Sequence, residues 1–140
     1  MRAMLPWWLL LLALAGCAAP KVQTAAPRPA CVQDGVASWY APHPGQTRMA
    51  DGGRLDSAAL TAAHRYLPFG TMVRVTNLDT GRSAVVRITD RGPAVRSRII
   101  DVSPAAAKLL EMKHEGTAHV RLEIDGAGDA GCLLREAANS

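Results

Sequence analysis

The sequence predicts a small, mainly β domain closed as a barrel, with one or two short helices. Between Gly35 and Ile124 the chain offers several short β-rich runs divided by loops that contain Gly and Pro. One stretch, behind Ser103-Pro104, has the make-up of a regular helix. The runs also alternate: Val73 and Val75 fall on one side, Arg74 and Thr76 on the other, as in a sheet with one buried face. At 140 residues, 49% of them hydrophobic, the chain has room for one such domain.

Residues 1–16 read as an address rather than as fold. One charge, Arg2, precedes the eleven-residue apolar run Leu5–Ala15. A bilayer-spanning helix needs ~20 apolar residues, so the run has the length of a signal-peptide core instead. It ends in Leu14-Ala15-Gly16-Cys17, which resembles a bacterial lipobox, with cleavage before Cys17 and acylation of that cysteine. Ala18 after the cysteine resembles the pattern that sorts lipoproteins to the outer membrane, so the expected location is its periplasmic face in a Gram-negative cell. Several acyl chains anchor stably where one does not.

Residues 17–34 read as a tether, with Pro20, Pro27 and Pro29 among alanines and almost nothing large to bury. Thirteen residues from Ala18 to Ala30 reach at most ~45 Å, which keeps the domain near the membrane. With Cys17 lipidated, Cys31 and Cys132 remain. An oxidising compartment makes them a disulfide that ties the two ends of the domain, the alternative being two free thiols. Closing a loop of roughly 100 residues is worth about 4.7 kcal/mol in the chain-entropy picture.

Within the domain, residues 35–125, Gly35–Tyr40 favours a strand and 41–53 a loop. Ser57–Leu60 reads as a short helical turn behind the cap residue Asp56. Leu67-Pro68-Phe69-Gly70 is a turn. Thr71–Leu78 and Arg82–Thr89 read as strands joined by Asp79-Thr80-Gly81, a length typical of a hairpin loop. Arg98–Val102 is another strand. Ser103 caps a helix with Pro104 at its first position, continuing through Ala105–Met112. Gly116–Ile124 is the last strand, and 126–140 a Gly- and Ala-rich tail around Cys132.

Charge and aromatic content exclude one class of partner. The formal net charge is only +4, and aromatic residues make up 4% of the chain, two of the three tryptophans lying in the leader. Neither a concentrated basic face nor a stacking surface for nucleic acid is expected. His43, His114 and His119 have no metal-ligand spacing with Cys or carboxylates, no phosphate loop precedes a helix and no serine sits in a nucleophile elbow. No metal or cofactor is expected, and the protein is read as a monomer.

Several blocks in order carry a resemblance. Gly35-Val36-Ala37-Ser38-Trp39-Tyr40 is followed by Ala59-Leu60-Thr61-Ala62-Ala63-His64-Arg65 and Leu67-Pro68-Phe69-Gly70-Thr71. Then come Val73-Arg74-Val75-Thr76-Asn77-Leu78, Gly81-Arg82-Ser83, Asp90-Arg91-Gly92-Pro93 and Arg98-Ile99-Ile100-Asp101-Val102-Ser103. Together they resemble the rare lipoprotein A family over about two-thirds of the chain. The resemblance implies a six-stranded double-psi β-barrel and lytic transglycosylase activity within peptidoglycan glycan strands, preferably strands stripped of stem peptides. It also implies septal or cell-wall association, with cell-division proteins as candidate partners. Many relatives add a C-terminal glycan-binding domain, for which a chain ending at Ser140 has no room.

The chemistry requires a well-placed acid. Cleavage after N-acetylmuramic acid without water protonates the leaving oxygen and then takes a proton from the sugar's C6 hydroxyl, closing a 1,6-anhydro ring. One carboxyl can perform both steps in turn, provided its surroundings keep it protonated at working pH. Asp90, before Arg91-Gly92-Pro93, matches the family's catalytic aspartate; the alternatives are an Asx-turn residue or a partner of Arg91. His64 matches a family histidine that orients the acid or contacts sugar, or it is a packed structural histidine. Trp39 and Tyr40 form a floor for a sugar ring or fill the core, and Arg91 is a further substrate contact. Asp56 reads as a cap, and Asp101 as a carboxylate paired with Arg98, Arg87 or a backbone donor.

One departure stands out. Active relatives usually carry Gly-Glu-x-x-Asp, where this chain has Gly52-Gly53-Arg54-Leu55-Asp56, so the glutamate position is Gly53. Asp51 is either its stand-in at the substrate or a solvated loop residue. The alternative function is therefore a non-catalytic barrel that binds peptidoglycan or a divisome partner.

Overall fold

The computed structural model describes residues 31–124. It is a closed barrel of six strands with one short helix. The strands are β1 (Cys31–Trp39), β2 (Thr61–Ala63), β3 (Met72–Asn77), β4 (Ser83–Asp90), β5 (Arg98–Val102) and β6 (Thr117–Ile124), and helix α1 spans Pro104–Leu109. Around the barrel they run β1-β5-β2-β4-β3-β6, closing through β1–β6. The β1–β5 and β2–β4 pairs are parallel and the rest antiparallel. The expected mainly β barrel is thus observed.

Alternation builds the core. Val73 and Val75 on β3, Val86 and Ile88 on β4, Ile100 and Val102 on β5, and Val120 and Leu122 on β6 are fully buried, while their strand neighbours Arg74, Val85, Arg87 and Arg121 are exposed. Leu67, Ala106, Ala107, Leu110 and Met112 close the same cluster. A closed ring of strands has no unpaired edge to protect.

The Asp79–Gly81 loop joins β3 to β4 as its sequence suggests. Gly81 takes φ 73° and donates to the Asn77 carbonyl at 2.8 Å. Ser103 caps α1: its hydroxyl accepts from the Ala106 N–H at 3.3 Å and donates to the Ala59 carbonyl at 2.7 Å. The helix ends at Leu109 rather than Met112, because Glu111 turns to φ 55° and the Asn77 side-chain amide takes the Leu110 carbonyl at 2.9 Å.

Three further readings from the sequence differ. β1 starts at Cys31, so residues 31–34, assigned to the tether, are barrel strand. They pair with Glu123, Leu122 and Arg121 of β6 through a ladder that begins at Cys31–Ile124, and Asp34 makes a two-pronged ion pair with Arg121 at 2.8 Å. The segment Thr61–Ala63 is a sixth strand that its composition did not mark. Ser57–Leu60 is a turn and not a helix, although Asp56 caps it as expected, accepting from the Ala58 N–H at 2.9 Å. Cys31 is disulfide-bonded. The readings placed on residues 1–30 and 125–140, including the leader, Cys17, most of the tether, Cys132 and the tail, lie outside the described residues.

Gly35 lets the Ile99 side chain of β5 lie close against β1. A β-carbon there would lie 2.8 Å from Cδ1 and Cγ2 of Ile99, inside van der Waals contact. Gly35→Ala is expected to destabilise the fold by about 1–3 kcal/mol in denaturant titrations, and by less when combined with Ile99→Ala, which vacates the contested space.

Candidate active site

Asp90 is the last residue of β4, where the chain leaves the sheet for the 91–97 loop. Its Oδ1 accepts two backbone N–H groups, from Ala50 at 3.1 Å and from Arg91 at 2.8 Å. The Ala50 contact comes from the 48–54 loop, which the Asp51 N–H docks onto the Thr89 carbonyl at 3.1 Å. Oδ2 of Asp90 has no partner among the described residues and is not buried. No basic side chain forms an ion pair with Asp90; the two salt bridges among the described residues are Arg82–Glu111 and Arg121–Asp34. The alternative of Asp90 as a partner of the Arg91 side chain is thereby removed.

Arg91 turns the other way. Its guanidinium donates to the carbonyls of His64 at 3.2 Å and Leu67 at 2.9 Å, and lies 3.8 Å over the Phe69 ring. Arg65 performs a similar task across the loop, donating to the carbonyls of Pro93, Val95, Arg96 and Arg98 at 2.6–3.4 Å. A planar fork with five N–H donors suits such multiple capture. The two arginines therefore fix the segments on either side of Asp90.

His64 continues β2 and is buried, 3% exposed. Its backbone N–H donates to the Asp90 carbonyl at 3.2 Å. Nδ1 accepts the N–H groups of Tyr66 at 3.1 Å and Leu67 at 3.0 Å, which places the ring proton on Nε2. Burial, reinforced by the charges of Arg65 and Arg91, pushes the imidazole down to about 4. His64 is thus neutral near pH 7 and offers a fixed N–H donor, with no basic nitrogen free to take a proton.

One register row crosses this end of the barrel: Asp90 on β4 faces Ala63 on β2, Ala63 faces Asp101 on β5, and Asp101 faces Ser38 on β1. Two strand spacings of ~4.8 Å separate the two aspartates along it. Asp101 is held by a hydrogen bond from the Ser38 hydroxyl, and not by Arg98 or Arg87 as expected from sequence. A side chain at Gly92 would lie 3.8 Å from the Ala63 β-carbon and 3.9 Å from Asp101 Oδ2, so that glycine brings the loop close over the row.

The remaining predicted residues fall around these. Tyr40 is half-buried, and its hydroxyl bonds Thr61 Oγ1 at 2.8 Å. Burial raises its phenol above the ordinary value, and the negative charges of Asp90, Asp101 and Asp56 add to the effect. Trp39 packs against the core, with the Lys113 ammonium 5.7 Å from its ring centre. Asp51 is exposed; its Oδ1 accepts the Gly53 N–H at 2.8 Å and would lie 3.0 Å from a β-carbon at Gly53. Its carboxylate therefore borders the space a side chain at position 53 would enter. Sequence reasoning missed Tyr66 and Phe69, which are 56% and 41% exposed beside His64 and Arg91. Their signal was two aromatics within five residues of the matched His64, in a turn with little core to fill. Among the described residues no group of three or more His, Cys, Asp or Glu side chains could hold a metal.

A six-stranded closed barrel with this order of pairings is the double-psi β-barrel class. Within that class the chain belongs to the lytic transglycolase family, whose model matches residues 32–122. It is 50% identical over 93 residues to the probable endolytic peptidoglycan transglycosylase RlpA of Synechocystis, covering 66% of this chain and 29% of that protein. It is 47% identical over 97 residues to the endolytic peptidoglycan transglycosylase RlpA of Campylobacter jejuni, covering 69% and 35%. The chain thus spans roughly a third of the length of these relatives. Two solved structures share the fold. A Streptomyces papain inhibitor aligns with TM-score 0.54 and 20% identity over 66% of this chain and 92% of its own. An expansin of Clavibacter michiganensis aligns with TM-score 0.55 and 17% identity over 69% and 52%.

The state of His64 sets a pH dependence. In the folded protein it stays neutral down to about pH 4, whereas an unfolded histidine takes up a proton below ~6.5. Protons therefore favour the unfolded chain between these values. The stabilisation is complete above the unfolded value and lost as pH falls through the window. Denaturant titrations are expected to show up to roughly 3 kcal/mol more loss from pH 7 to pH 4 in the natural chain than in His64→Gln, whose amide oxygen can accept the same two N–H groups but does not titrate.

Proposed function

We propose that this chain cleaves the glycan strands of peptidoglycan internally by lytic transglycosylase chemistry, with Asp90 as acid and then base. The observation that carries the reading is the asymmetry of the Asp90 carboxyl. Oδ1 is fixed by two backbone N–H groups, and Oδ2 is unpartnered and reachable at a strand end. In this reading Oδ2 protonates the departing glycosidic oxygen, then accepts the proton of the C6 hydroxyl as that oxygen closes the 1,6-anhydro ring. A single positioned group serves both transfers, unlike the paired carboxyls of hydrolytic glycosidases. His64, neutral and proton-bearing at Nε2, contributes a hydrogen bond rather than a second base. Arg91 positions the His64–Phe69 segment instead of contacting sugar.

The finer parts of the proposal rest on the family resemblance and on residues outside 31–124. The preferred substrate is glycan lacking stem peptides. Cys17 carries the lipid that holds the domain on the periplasmic face of the outer membrane, and cell-division proteins recruit it to the septum. A second reading, a glycan- or divisome-binding barrel without catalysis, is favoured by one observation: position 53, where active relatives carry glutamate, has no side chain.

One experiment separates the two. The full chain in detergent is incubated with denuded glycan strands, and the products are examined by mass spectrometry for 1,6-anhydro ends. Asp90→Asn is expected to lower their formation at least ~100-fold, the scale of a lost general acid–base group. Natural chain that retains glycan in a pull-down yet yields no anhydro ends would decide for the binding module. Should Asp51 replace the missing glutamate, Asp51→Ala also lowers the yield; an unchanged yield makes it a solvated loop residue.

A further inference from the structure

Asp101 is half-buried on β5 and forms no ion pair among the described residues. Its Oδ1 is held by the hydroxyl of Ser38, a residue only 2% exposed. Its Oδ2 accepts no hydrogen bond among the described residues and is not closed off from solvent. A carboxylate taken part-way out of water is destabilised unless a cation or several donors meet it. Arg87 on β4 and Arg98 on β5 are the cations the sequence offers for that task, and the fold brings neither to it. Its place in the barrel is a second observation. Along the row through Ala63 it stands two strand spacings from Asp90. A β-carbon at Gly92, two residues past Asp90, would lie 3.9 Å from Asp101 Oδ2, so the free oxygen lies on the face over which the chain leaves Asp90. The Tyr40 hydroxyl, bonded to Thr61 at 2.8 Å, is near enough to both aspartates for their negative charges to raise the phenol further. The two carboxyls thus border one space.

We propose that Asp101 is a second catalytic carboxylate: its Oδ2 faces the sugar ring whose bond Asp90 opens, and it offsets the positive charge that grows there. The inference rests on the glycan-cleavage reading above and extends it. As the bond from C1 to the departing oxygen breaks, its electron pair leaves with that oxygen, which takes the proton of Asp90. C1 and the ring oxygen then share a positive charge. The charge is discharged when the C6 oxygen closes on C1 and gives its proton back to Asp90. Asp101 neither takes nor gives a proton in this sequence. It supplies a negative group whose orientation is fixed in advance by Ser38 and which has no counter-cation to displace. Such a group stabilises the transition state more than the uncharged substrate. A role as a mere hydrogen-bond acceptor for sugar hydroxyls would need no charge, and an amide would fill it equally well.

The test uses the full chain in detergent carrying Asp101→Asn, which keeps the shape and the acceptor for Ser38 but removes the charge. Formation of 1,6-anhydro ends from denuded glycan strands is expected to fall about 100-fold, the scale of a lost transition-state stabiliser. Glycan retention in a pull-down should persist, and the melting temperature should hold or rise, because a half-buried charge has gone. A binding titration gives a readout independent of cleavage. Its probes are the trimer of N-acetylglucosamine and the same trimer with a protonated piperidine as its end ring. The natural chain and Asp90→Asn should prefer the cationic trimer about tenfold, and Asp101→Asn should show no preference. Cleavage by Asp101→Asn at the natural rate, a preference that survives in it, or a natural chain that binds the two trimers equally or binds neither would each overturn the proposal. If Asp101→Asn does not fold, Ser38→Ala, which leaves the charge but frees the carboxyl, takes its place in the cleavage assay. A roughly tenfold fall with glycan still retained supports the proposal, and a yield within about twofold of the natural chain overturns it. The two readings fail separately. A natural chain that forms no anhydro ends refutes cleavage, and the trimer preference then decides on Asp101 alone. Full activity in Asp90→Asn with loss in Asp101→Asn refutes the Asp90 assignment only.

Discussion

The three-residue strand β2 is the constraint on which the site depends. Wedged between β4 and β5, it runs parallel to one and antiparallel to the other, so it joins strands that belong to different parts of the chain. Ala62 and Ala63 are almost completely buried. Their small side chains let both neighbours and the Gly92 loop close in. Through Ala63, and nothing longer, Asp90 and Asp101 are placed in one row. Through the residue that follows, His64 reaches the Asp90 backbone. A larger residue at position 63 would press on the loop that crosses it, and the acid and the histidine would no longer share a frame.

Around that frame, charge does structural work that is easily mistaken for substrate recognition. Arg65 and Arg91 flank the catalytic candidate, and a basic pair beside a groove invites the reading of an anion grip. Their hydrogen bonds go instead to main-chain carbonyls of the 64–67 and 93–98 segments. Each carbonyl so occupied is one that a loop outside the sheet ladder would otherwise leave to water. Their charges add to the effect of burial in keeping His64 neutral. The imidazole is thereby a donor by construction.

Much of this was legible in the sequence and the rest had physical reasons not to be. Val73, Val75, Val86, Ile88, Val120 and Leu122 announce their strands because one face of each is buried and the other wet. Ser103-Pro104 announces a helix start because capping is local chemistry. Thr61-Ala62-Ala63 announces nothing: three small residues, the last two buried, have no period to display. The first four residues of β1 were hidden differently. Val32 and Asp34 are exposed, so what makes them strand is the ladder with β6, almost 90 residues away. The family blocks led to Asp90 and His64. They could not show that Arg91 binds carbonyls, since a backbone acceptor has no letter in a sequence, or that Asp101 is met by Ser38 across 63 positions.

The β1–β6 ladder has a mechanical meaning. Its first rung joins Cys31 to Ile124, so the described chain enters and leaves the barrel side by side. Tension applied between those two points would act on one rung at a time, peeling the pair open, and would not load the ladder in shear. Resistance to pulling would then be set locally, at the rungs nearest Cys31 and by the crosslink that cysteine carries, and only weakly by the depth of the core beneath.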